Sequence, residues 1–236
     1  MTPHESARLH VLSAGAAQGL VESLAPRFLA ETGVALLTTF GAVGAMREKL
    51  LAGDLCDAFI STQAMVDELS RSGHVAAAQG ALGYVRTAIA IRAGDALPEI
   101  SHRAALQRSL CAATEIFLPD PQRATAGIHF TRVIDALGIQ TDVAARLRPY
   151  ASGAAAMHAL AQSASSTPIG CTQMSEIIYV KGVALVGALP REFELATVYS
   201  VAVSSQAQQP ELARRFAQLM CHPEVRSVRT EAGFET

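Results

Sequence analysis

The sequence has no tryptophan, and aromatic residues make up only 5% of its 236 residues. Aromatic surfaces on which bases or sugar rings could stack are therefore scarce. Only 17% of the residues are charged, the formal net charge is −2, and lysine and arginine form no cluster. We expect no nucleic acid partner, because contacts to phosphates require clustered basic residues. No apolar run is long enough to span a bilayer, so we expect no membrane insertion.

Motifs for metals and cofactors are also missing. The four cysteines are far apart and share no metal-ligand spacing. There is no pair of histidines at ligand spacing and no nucleophile elbow. The glycines Gly41 and Gly44 are too close together for a dinucleotide or phosphate-binding loop. We therefore predict a protein without a metal site and without a cofactor.

The first residues lack the basic segment followed by an apolar segment that is typical of a signal peptide. Two expectations about location follow. The protein is expected to be cytoplasmic if Met1 is the native start. It is expected to be periplasmic if a signal peptide has been removed.

Half of the residues are hydrophobic, so the chain can form a substantial core. Strands are predicted at residues 9–12, 34–40 and 58–61, with amphipathic helices between them. This regular alternation predicts an α/β fold with a parallel sheet and helices on both faces. After a long apolar strand at residues 84–91 the spacing changes, which favours two small α/β lobes over one continuous sheet.

Two strands are followed by small, glycine-containing turns that lead directly into helices. The first strand ends in residues 14–19, Ala-Gly-Ala-Ala-Gln-Gly, and the second in residues 38–46, Thr-Thr-Phe-Gly-Ala-Val-Gly-Ala-Met. Such turns place two helix N-termini at one edge of a sheet, where free N–H groups and positive dipole ends converge. A third strand, Asp-Ala-Phe-Ile-Ser, ends at Ser61. Recognition of a small anion is therefore the leading hypothesis.

The order of these segments, over nearly the whole chain, resembles the molybdate-type periplasmic substrate-binding proteins of ABC transporters. No single motif is specific, and the likeness rests on order and spacing. The matching segments lie at residues 11–17, 28–34, 51–54, 57–61, 119–121, 126–128, 136–138, 168–170 and 233–234.

The resemblance implies a two-lobe, type II periplasmic-binding-protein-like fold, in which each lobe is a mainly parallel sheet flanked by helices. It places residues 1–83 and 204–236 in lobe one and residues 84–203 in lobe two. It also implies a ligand cleft between the lobes, closed by a hinge near Tyr84 and Tyr199. An ABC-transporter permease is the expected partner if the protein is exported.

The chain departs from this family where the family holds its oxyanion with hydroxyl groups. Ala16 and Val43 stand at the two expected serine positions, and Gln173 stands at the expected tyrosine position. Each unmade hydrogen bond to a buried charged group costs about 1–3 kcal/mol or more. We therefore predict that the ligand is an organic carboxylate rather than molybdate.

Candidate ligand-binding residues lie in the turns that follow the strands. Arg123 could clamp a carboxylate with two hydrogen bonds, or could be a solvated loop residue. Thr125 is predicted to be a helix N-cap that could also donate to the ligand, and Thr62 is predicted to be the N-cap of another helix. Arg47 is predicted to be a surface residue paired with a neighbouring glutamate, with the alternative that it reaches the cleft. The full set of predicted ligand-binding residues is Ala16, Thr39, Val43, Ser61, Arg123, Thr125, Ala126, Ala154 and Gln173.

The alternative function is an enzyme on the same scaffold, since the resemblance extends to isomerases of unsaturated carboxylic acids of the aconitate isomerase type. A proton-transfer isomerase needs anion-binding groups and an acid–base group. Glu176 and His129 are conditional catalytic candidates. Otherwise Glu176 is expected at the surface, and His129 is expected to be a partly exposed structural residue. A ligand-sensing domain inside the cell is a third possibility.

Overall fold

The computed structural model describes residues 8–236. The chain divides into two compact units. Unit one consists of the described residues up to Tyr84 together with Val198–Thr236, and unit two is Val85–Thr197. The chain passes from one unit to the other within two strands, β4 (Gly80–Arg92) and β9 (Ala196–Val203). The lobe boundaries given by the resemblance, at residues 84 and 203, stay a prediction.

Unit one is a sheet of four strands with helices packed on it. Three of these strands, β1, β2 and β3, are parallel, and β9 pairs with β3 in the antiparallel direction. The order across the sheet is β2-β1-β3-β9. The elements of unit one besides β9 are β1 (Arg8–Ala14), α1 (Gln18–Thr32), β2 (Ala35–Gly41), α2 (Val43–Leu51), β3 (Ala58–Thr62), α3 (Gln63–Arg71), α9 (Pro210–Cys221) and α10 (Arg226–Glu231).

The buried carboxylate of Asp57 ties three parts of unit one together just before β3. Its two oxygens accept from the backbone N–H groups of His10 and Gln209, each at 2.9 Å. These bonds join the start of β3 to β1 and to the segment that precedes α9. Charge-assisted hydrogen bonds of this kind satisfy a carboxylate that is almost fully removed from water.

Unit two has five strands, with the order β4-β7-β5-β6 and β8 paired to the other side of β4. Strand β5 is parallel to both β6 and β7, whereas β4 is antiparallel to β7 and β8. The elements besides β4 are α4 (Arg103–Ala112), β5 (Glu115–Pro119), α5 (Thr125–Leu137), α6 (Gln140–Val143), β6 (Leu147–Tyr150), α7 (Gly153–Gln162), β7 (Pro168–Gln173), α8 (Met174–Tyr179) and β8 (Val183–Ala188).

Helices cover the two faces of the unit two sheet. On one face, Ile89 and Cys171 pack with Phe130 and Ile134 of α5. On the other face, Ala88 packs with Met157 of α7. Because side chains alternate along a strand, neighbouring residues of β7 are sorted between the α5 face and the α7 face. This sorting decides which polar side chains meet at the ends of the strands.

The α/β class and the strands and helices predicted from periodicity are confirmed. Among the helices and strands, four short elements were not predicted: α6, β6, α8 and α10. Strand β6 contains Pro149, which removes a ladder donor and is tolerated at the edge of the sheet where β6 lies. Within residues 8–236, no helix is both long enough and apolar enough to cross a bilayer.

Candidate functional site

Helices that follow a strand differ in whether a side chain caps their first turn. In α3, α4 and α7 the N-cap side chain accepts a hydrogen bond from a first-turn N–H, and these residues are Thr62, His102 and Ser152. In α1, α2 and α5 the N-cap residue is alanine, and no side chain makes the cap bond. Alanine there costs a helix about 1 kcal/mol relative to serine or aspartate. First-turn N–H groups that lack such an acceptor are suited to binding an anion.

In unit one, the N-terminus of α2 lies on the same face of the sheet as an unpaired hydroxyl. Phe59 packs with Met46 and Leu50 of α2. Ser61, two residues later on β3, therefore lies on the same face, one residue before the end of the strand. Its side chain is fully buried and its Oγ has no hydrogen-bond partner. Buried polar atoms in native proteins are almost always paired, so this hydroxyl is a candidate to bond a ligand atom or a water molecule.

Unit two repeats this arrangement at the N-terminus of α5. Cys171 packs against α5, so Gln173, two residues later on β7, lies on the α5 face. Gln173 is 2% exposed, and neither its Nε2 nor its Oε1 has a partner. Thr87 is the direct partner of Gln173 on β4, and its buried Oγ1 is also unpaired. Opposed residues of an antiparallel pair share one face, so an amide and a hydroxyl without partners lie beside each other.

Thr87 was not among the predicted site residues. A signal for it is present in the sequence, because Thr87 is the only polar residue in the run Thr-Ala-Ile-Ala-Ile at residues 87–91. A lone hydroxyl in a buried strand needs a hydrogen-bond partner. Pairing with Gln173, however, depends on the register of two strands that are distant in the sequence, which the sequence pattern does not give.

The structure places the predicted small residues of unit one in helix-initiating turns. Ala16 is buried within a single 3-10 turn, Gly15–Ala17, between β1 and α1. Val43 is the first residue of α2 and is also buried. Thr39 is exposed on β2, opposite Leu12 and two residues before the end of the strand. Ala14 pairs with Gly41, so the turns after β1 and β2 start side by side.

The loop before α5 is ordered by Asp120, whose Oδ1 accepts from the N–H groups of Gln122 and Arg123 at 2.7 and 3.1 Å. The N-cap of α5 is Ala124, so the prediction that Thr125 is the N-cap is wrong. Thr125 is the first helical residue instead. The side chain of Arg123 is exposed, and its predicted role as a carboxylate clamp stays a prediction.

Gly127 and Ala126 set how closely α5 approaches the end of β5. A Cβ on Gly127 would lie 2.3 Å from the carbonyl oxygen of Asp120 and 2.4 Å from that of Pro119. Glycine is therefore needed for this close approach of backbone to backbone. Ala126 is buried in the same first turn. The packing fixes the first-turn N–H groups of α5 at the end of the strand.

Glu176 is buried at 6% exposure, so the alternative that placed it at the surface is wrong. Thr172 lies on the α7 face, and its hydroxyl donates to Glu176 Oε2 at 2.5 Å. A Cβ on Gly153 would lie 1.9 Å from Glu176 Oε2, so this carboxyl group lies against the start of α7. Burial raises the pKa of the Glu176 carboxyl, while hydrogen bonding, that of Thr172 first, opposes the increase. The predicted ligand-binding role of Ala154, the second residue of α7, stays a prediction.

His129 lies in the second turn of α5 and is half-buried. Its Nε2–H donates to the backbone carbonyl of Phe193 at 2.7 Å, which holds the ring against a neighbouring segment of unit two. This bond favours the structural interpretation of His129.

Arg47 pairs with Glu68 at 3.0 Å, and both side chains are substantially exposed, so the prediction of a surface ion pair is confirmed.

The cysteines Cys56, Cys111, Cys171 and Cys221 are all free thiols. Burial raises the pKa of Cys56 to about 12, and burial also raises the pKa of Cys171 well above its ordinary value. These two are therefore thiols rather than thiolates at neutral pH.

In the described part of the chain, no cluster of three or more histidine, cysteine, aspartate or glutamate side chains could hold a metal ion.

Two α/β units connected by strands, with the order β2-β1-β3-β9 in unit one, belong to the type II periplasmic-binding-protein fold class. Residues 9–235 match the family of bacterial extracellular solute-binding proteins, and the chain belongs to this family. The periplasmic molybdate-binding protein of Azotobacter vinelandii superposes with a TM-score of 0.80 at 20% identity, covering 97% of this chain and 99% of that one. The sulfate-binding protein of Mycobacterium tuberculosis gives 0.76 at 18% identity, covering 97% and 86%.

Among curated proteins, the chain is 27% identical to an aconitate isomerase from a Pseudomonas species. The alignment covers 237 positions, with 96% of this chain and 87% of that relative. The resemblance to molybdate-type binding proteins expected from the sequence is thus confirmed at the level of family and fold.

Proposed function

We propose that this protein binds a small organic carboxylate through helix N-termini at the ends of its strands. One repeated observation carries the proposal. In each unit an uncapped helix, α2 or α5, shares a face of the sheet with a buried polar side chain that has no partner, Ser61 or Gln173. Free N–H groups with an adjacent unpaired donor form an environment that favours an anion.

The residues of these turns favour a carboxylate over a tetrahedral metal oxyanion. Ala16 and Val43 offer backbone N–H groups without a side-chain donor. A fully dehydrated tetrahedral oxyanion has four oxygens that each require donors, and each unmade bond costs about 1–3 kcal/mol. A carboxylate has two oxygens in one plane and an organic remainder that can contact alanine and valine side chains. Arg123 is the side chain we expect to reach a second carboxylate.

The family supports a role outside the cytoplasm, with transfer of the ligand to an ABC-transporter permease. The family description is that of extracellular solute-binding proteins. Fractionation of cells that express the native gene, followed by detection of the product, tests this part. Recovery of the protein in the cytoplasm alone would contradict it.

The binding proposal is tested by removing the unpaired donors. Ser61→Ala and Gln173→Leu remove a buried polar group that has no protein partner, so the free energy of unfolding should stay level or rise. The same changes should weaken binding of citrate or cis-aconitate by about tenfold each, the value of one hydrogen bond to a charged ligand. Calorimetric titration measures the affinity, and urea denaturation measures the stability.

Ser13→Ala is the matched control. Ser13 is equally buried on β1, but its Oγ donates to the carbonyl of Ala14 at 3.0 Å. Its loss should lower stability and leave the affinity unchanged. Equal affinities in the wild type, Ser61→Ala and Gln173→Leu would contradict the proposed site.

A second candidate function is isomerisation of an unsaturated carboxylic acid. The relative named aconitate isomerase favours it, as does Glu176, a buried carboxyl group with a raised pKa that could exchange a proton. Proton NMR of cis-aconitate incubated with the protein should show new olefinic resonances, and Glu176→Gln should abolish their growth. A spectrum that stays constant with wild-type protein would exclude this reaction.

A further inference from the structure

The side chains of Thr87 and Gln173 bring unpaired donors and acceptors together in unit two. Thr87 is fully buried, Gln173 is 2% exposed, and the two residues are direct partners across β4 and β7. Thr87 Oγ1, Gln173 Nε2 and Gln173 Oε1 have no hydrogen-bond partner among the described residues. Most buried polar side-chain atoms in native proteins have a partner. Three unpaired atoms on two opposed residues therefore point to a polar group that comes from outside the chain.

The uncapped first turn of α5 lies at the same level of the sheet as Gln173. Strands β5 and β7 are parallel, with Phe117 opposite Gly170. Continuing this register along both strands brings Gln173 level with Asp120. Gly127, in the first turn of α5, packs so closely on Asp120 that a Cβ would lie 2.3 Å from its carbonyl oxygen. Because the Gln173 side chain also lies on the α5 face, the unpaired amide and the first-turn N–H groups are neighbours.

A group that only accepts hydrogen bonds does not satisfy these side chains. The Gln173 amide and the Thr87 hydroxyl both offer hydrogens, but Gln173 Oε1 needs a donor. A carboxylate or sulfate oxygen would leave Oε1 buried and unpaired, which is unfavourable. An ammonium group has the opposite defect, since it donates and cannot accept. A hydroxyl group does both.

We propose that Thr87 and Gln173 recognise the hydroxyl group of a hydroxycarboxylic acid, whose carboxylate binds the first turn of α5. This recognition rests on the proposed anion-binding function, and it narrows the ligand to acids that carry a hydroxyl group near a carboxylate. The ligand hydroxyl donates to Gln173 Oε1 and accepts from the Thr87 hydroxyl, while Gln173 Nε2 donates to the carboxylate. Thr87 and Gln173 are then specificity-determining residues.

Pairs of acids that differ by one hydroxyl group test this recognition. The pairs are lactate and propionate, malate and succinate, and citrate and tricarballylate, and calorimetric titration of the wild type measures their affinities. In a pair that binds, the hydroxy acid should bind about tenfold tighter or more, because its partner leaves Oε1 without a donor. Equal affinities within the pairs would overturn the proposal, and a water molecule that satisfies the two side chains would give this result.

Thr87→Val and Gln173→Met test whether these two residues cause the discrimination. Each change keeps the approximate size of the side chain and removes its polar atoms. The affinity ratio within a pair should fall from about tenfold toward one. Ser61→Ala is the control, because it removes an unpaired hydroxyl from unit one and should weaken both acids of a pair by the same factor. A ratio that is unchanged in Thr87→Val and in Gln173→Met would contradict the assigned roles.

Aspartate provides a further arm, since it carries an ammonium group where malate carries its hydroxyl. It should bind about tenfold weaker than malate or less tightly still, because it cannot accept from the Thr87 hydroxyl. Binding of aspartate as tight as that of malate would overturn recognition of a hydroxyl group.

The outcomes separate this inference from the proposed function. If none of the six acids binds, the proposed binding of carboxylates fails, and recognition of a hydroxyl group fails with it. If the acids bind but the members of each pair bind equally, the proposed function stands and the roles of Thr87 and Gln173 in selecting a hydroxy acid are wrong.

Discussion

Two glutamates of unit two show how environment sets the ionisation of the same side chain. Glu115 accepts from the hydroxyls of Ser165 and Ser163, and from Arg148 at 3.1 Å. These bonds, the serine hydroxyls first, hold the pKa of Glu115 below its ordinary value. Glu176 also accepts hydrogen bonds, but burial outweighs them and raises its pKa. The folded state therefore favours the ionised form of Glu115 and the protonated form of Glu176.

A pH dependence of stability with a definite sign follows for Glu176. Its contribution is complete below about 4.5, its ordinary pKa, and is lost as pH rises through the higher pKa of the folded state. Glutamine does not titrate, so Glu176→Gln should gain stability relative to the wild type as pH rises from about 4.5 to 8. Urea denaturation of both proteins across this range measures the difference.

Glu115→Gln provides a control of opposite sign. The contribution of Glu115 is present above about 4.5 and is lost as pH falls through its lowered pKa. Glu115→Gln should therefore lose stability relative to the wild type as pH rises toward about 4.5, with no further change in the difference up to pH 8. A stability difference for Glu176→Gln that does not vary with pH would contradict the description of its environment.

At the scale of single elements, the helix N-termini carry the main functional argument. Caps on α3, α4 and α7 satisfy orphan N–H groups, whereas alanine begins α1, α2 and α5. A protein selected for stability alone would gain from a polar N-cap at these positions. Their absence is explained if an external anion takes the place of the cap.

Ala124→Asp tests this explanation on α5. The new carboxylate should cap the first turn and raise the free energy of unfolding by about 0.5–1 kcal/mol. It should also weaken binding of citrate by about tenfold or more, because it fills the N–H groups and repels the ligand. Denaturation and calorimetry on the same sample measure the two effects.

His102→Asp is the control for added charge, since it places the same carboxylate on α4, where His102 already caps the helix. Its affinity should match that of the wild type. If Ala124→Asp is more stable and binds citrate as tightly as the wild type, the uncapped turn of α5 is not part of the site.

Much of the fold at this scale could be predicted, because apolar periodicity and glycine turns are local signals. Strand β3 followed from an apolar run, although it ends at Thr62 rather than at Ser61, and Thr62 is the N-cap of α3 as predicted. The N-cap of α5 was misplaced by one residue, since Thr125 is the better capping residue by type and Ala124 holds the position. The preference of threonine for N-cap positions gave the wrong residue here, because the N-cap of α5 is an alanine that makes no side-chain cap bond.

The parts of the site that escaped prediction depend on contacts between distant residues. Glu176 follows the strand β7 in a polar stretch that has the pattern of a surface turn. Its burial results from α7, whose Gly153 opens a space for it. Similarly, Thr87 meets Gln173 only through the register of β4 and β7. No local pattern encodes either contact.

At the scale of the whole molecule, family and ligand are separate conclusions. The family is that of bacterial extracellular solute-binding proteins, and the fold matches proteins that bind molybdate and sulfate. Fold does not determine the ligand, because recognition depends on the residues at the site. The proposal of an organic acid rests on Ser61 in unit one and on Thr87 and Gln173 in unit two, whose buried polar atoms have no partner within the protein.

The most direct test is a thermal-shift titration of the wild-type protein with citrate, cis-aconitate, malonate, molybdate and sulfate. A ligand at a hundred times its Kd adds about 2.7 kcal/mol to the free energy of unfolding, enough to shift the melting temperature by several degrees. We predict such a shift with at least one of the three carboxylates and none with molybdate or sulfate. A shift with molybdate or sulfate alone, or with none of the five, would contradict the account.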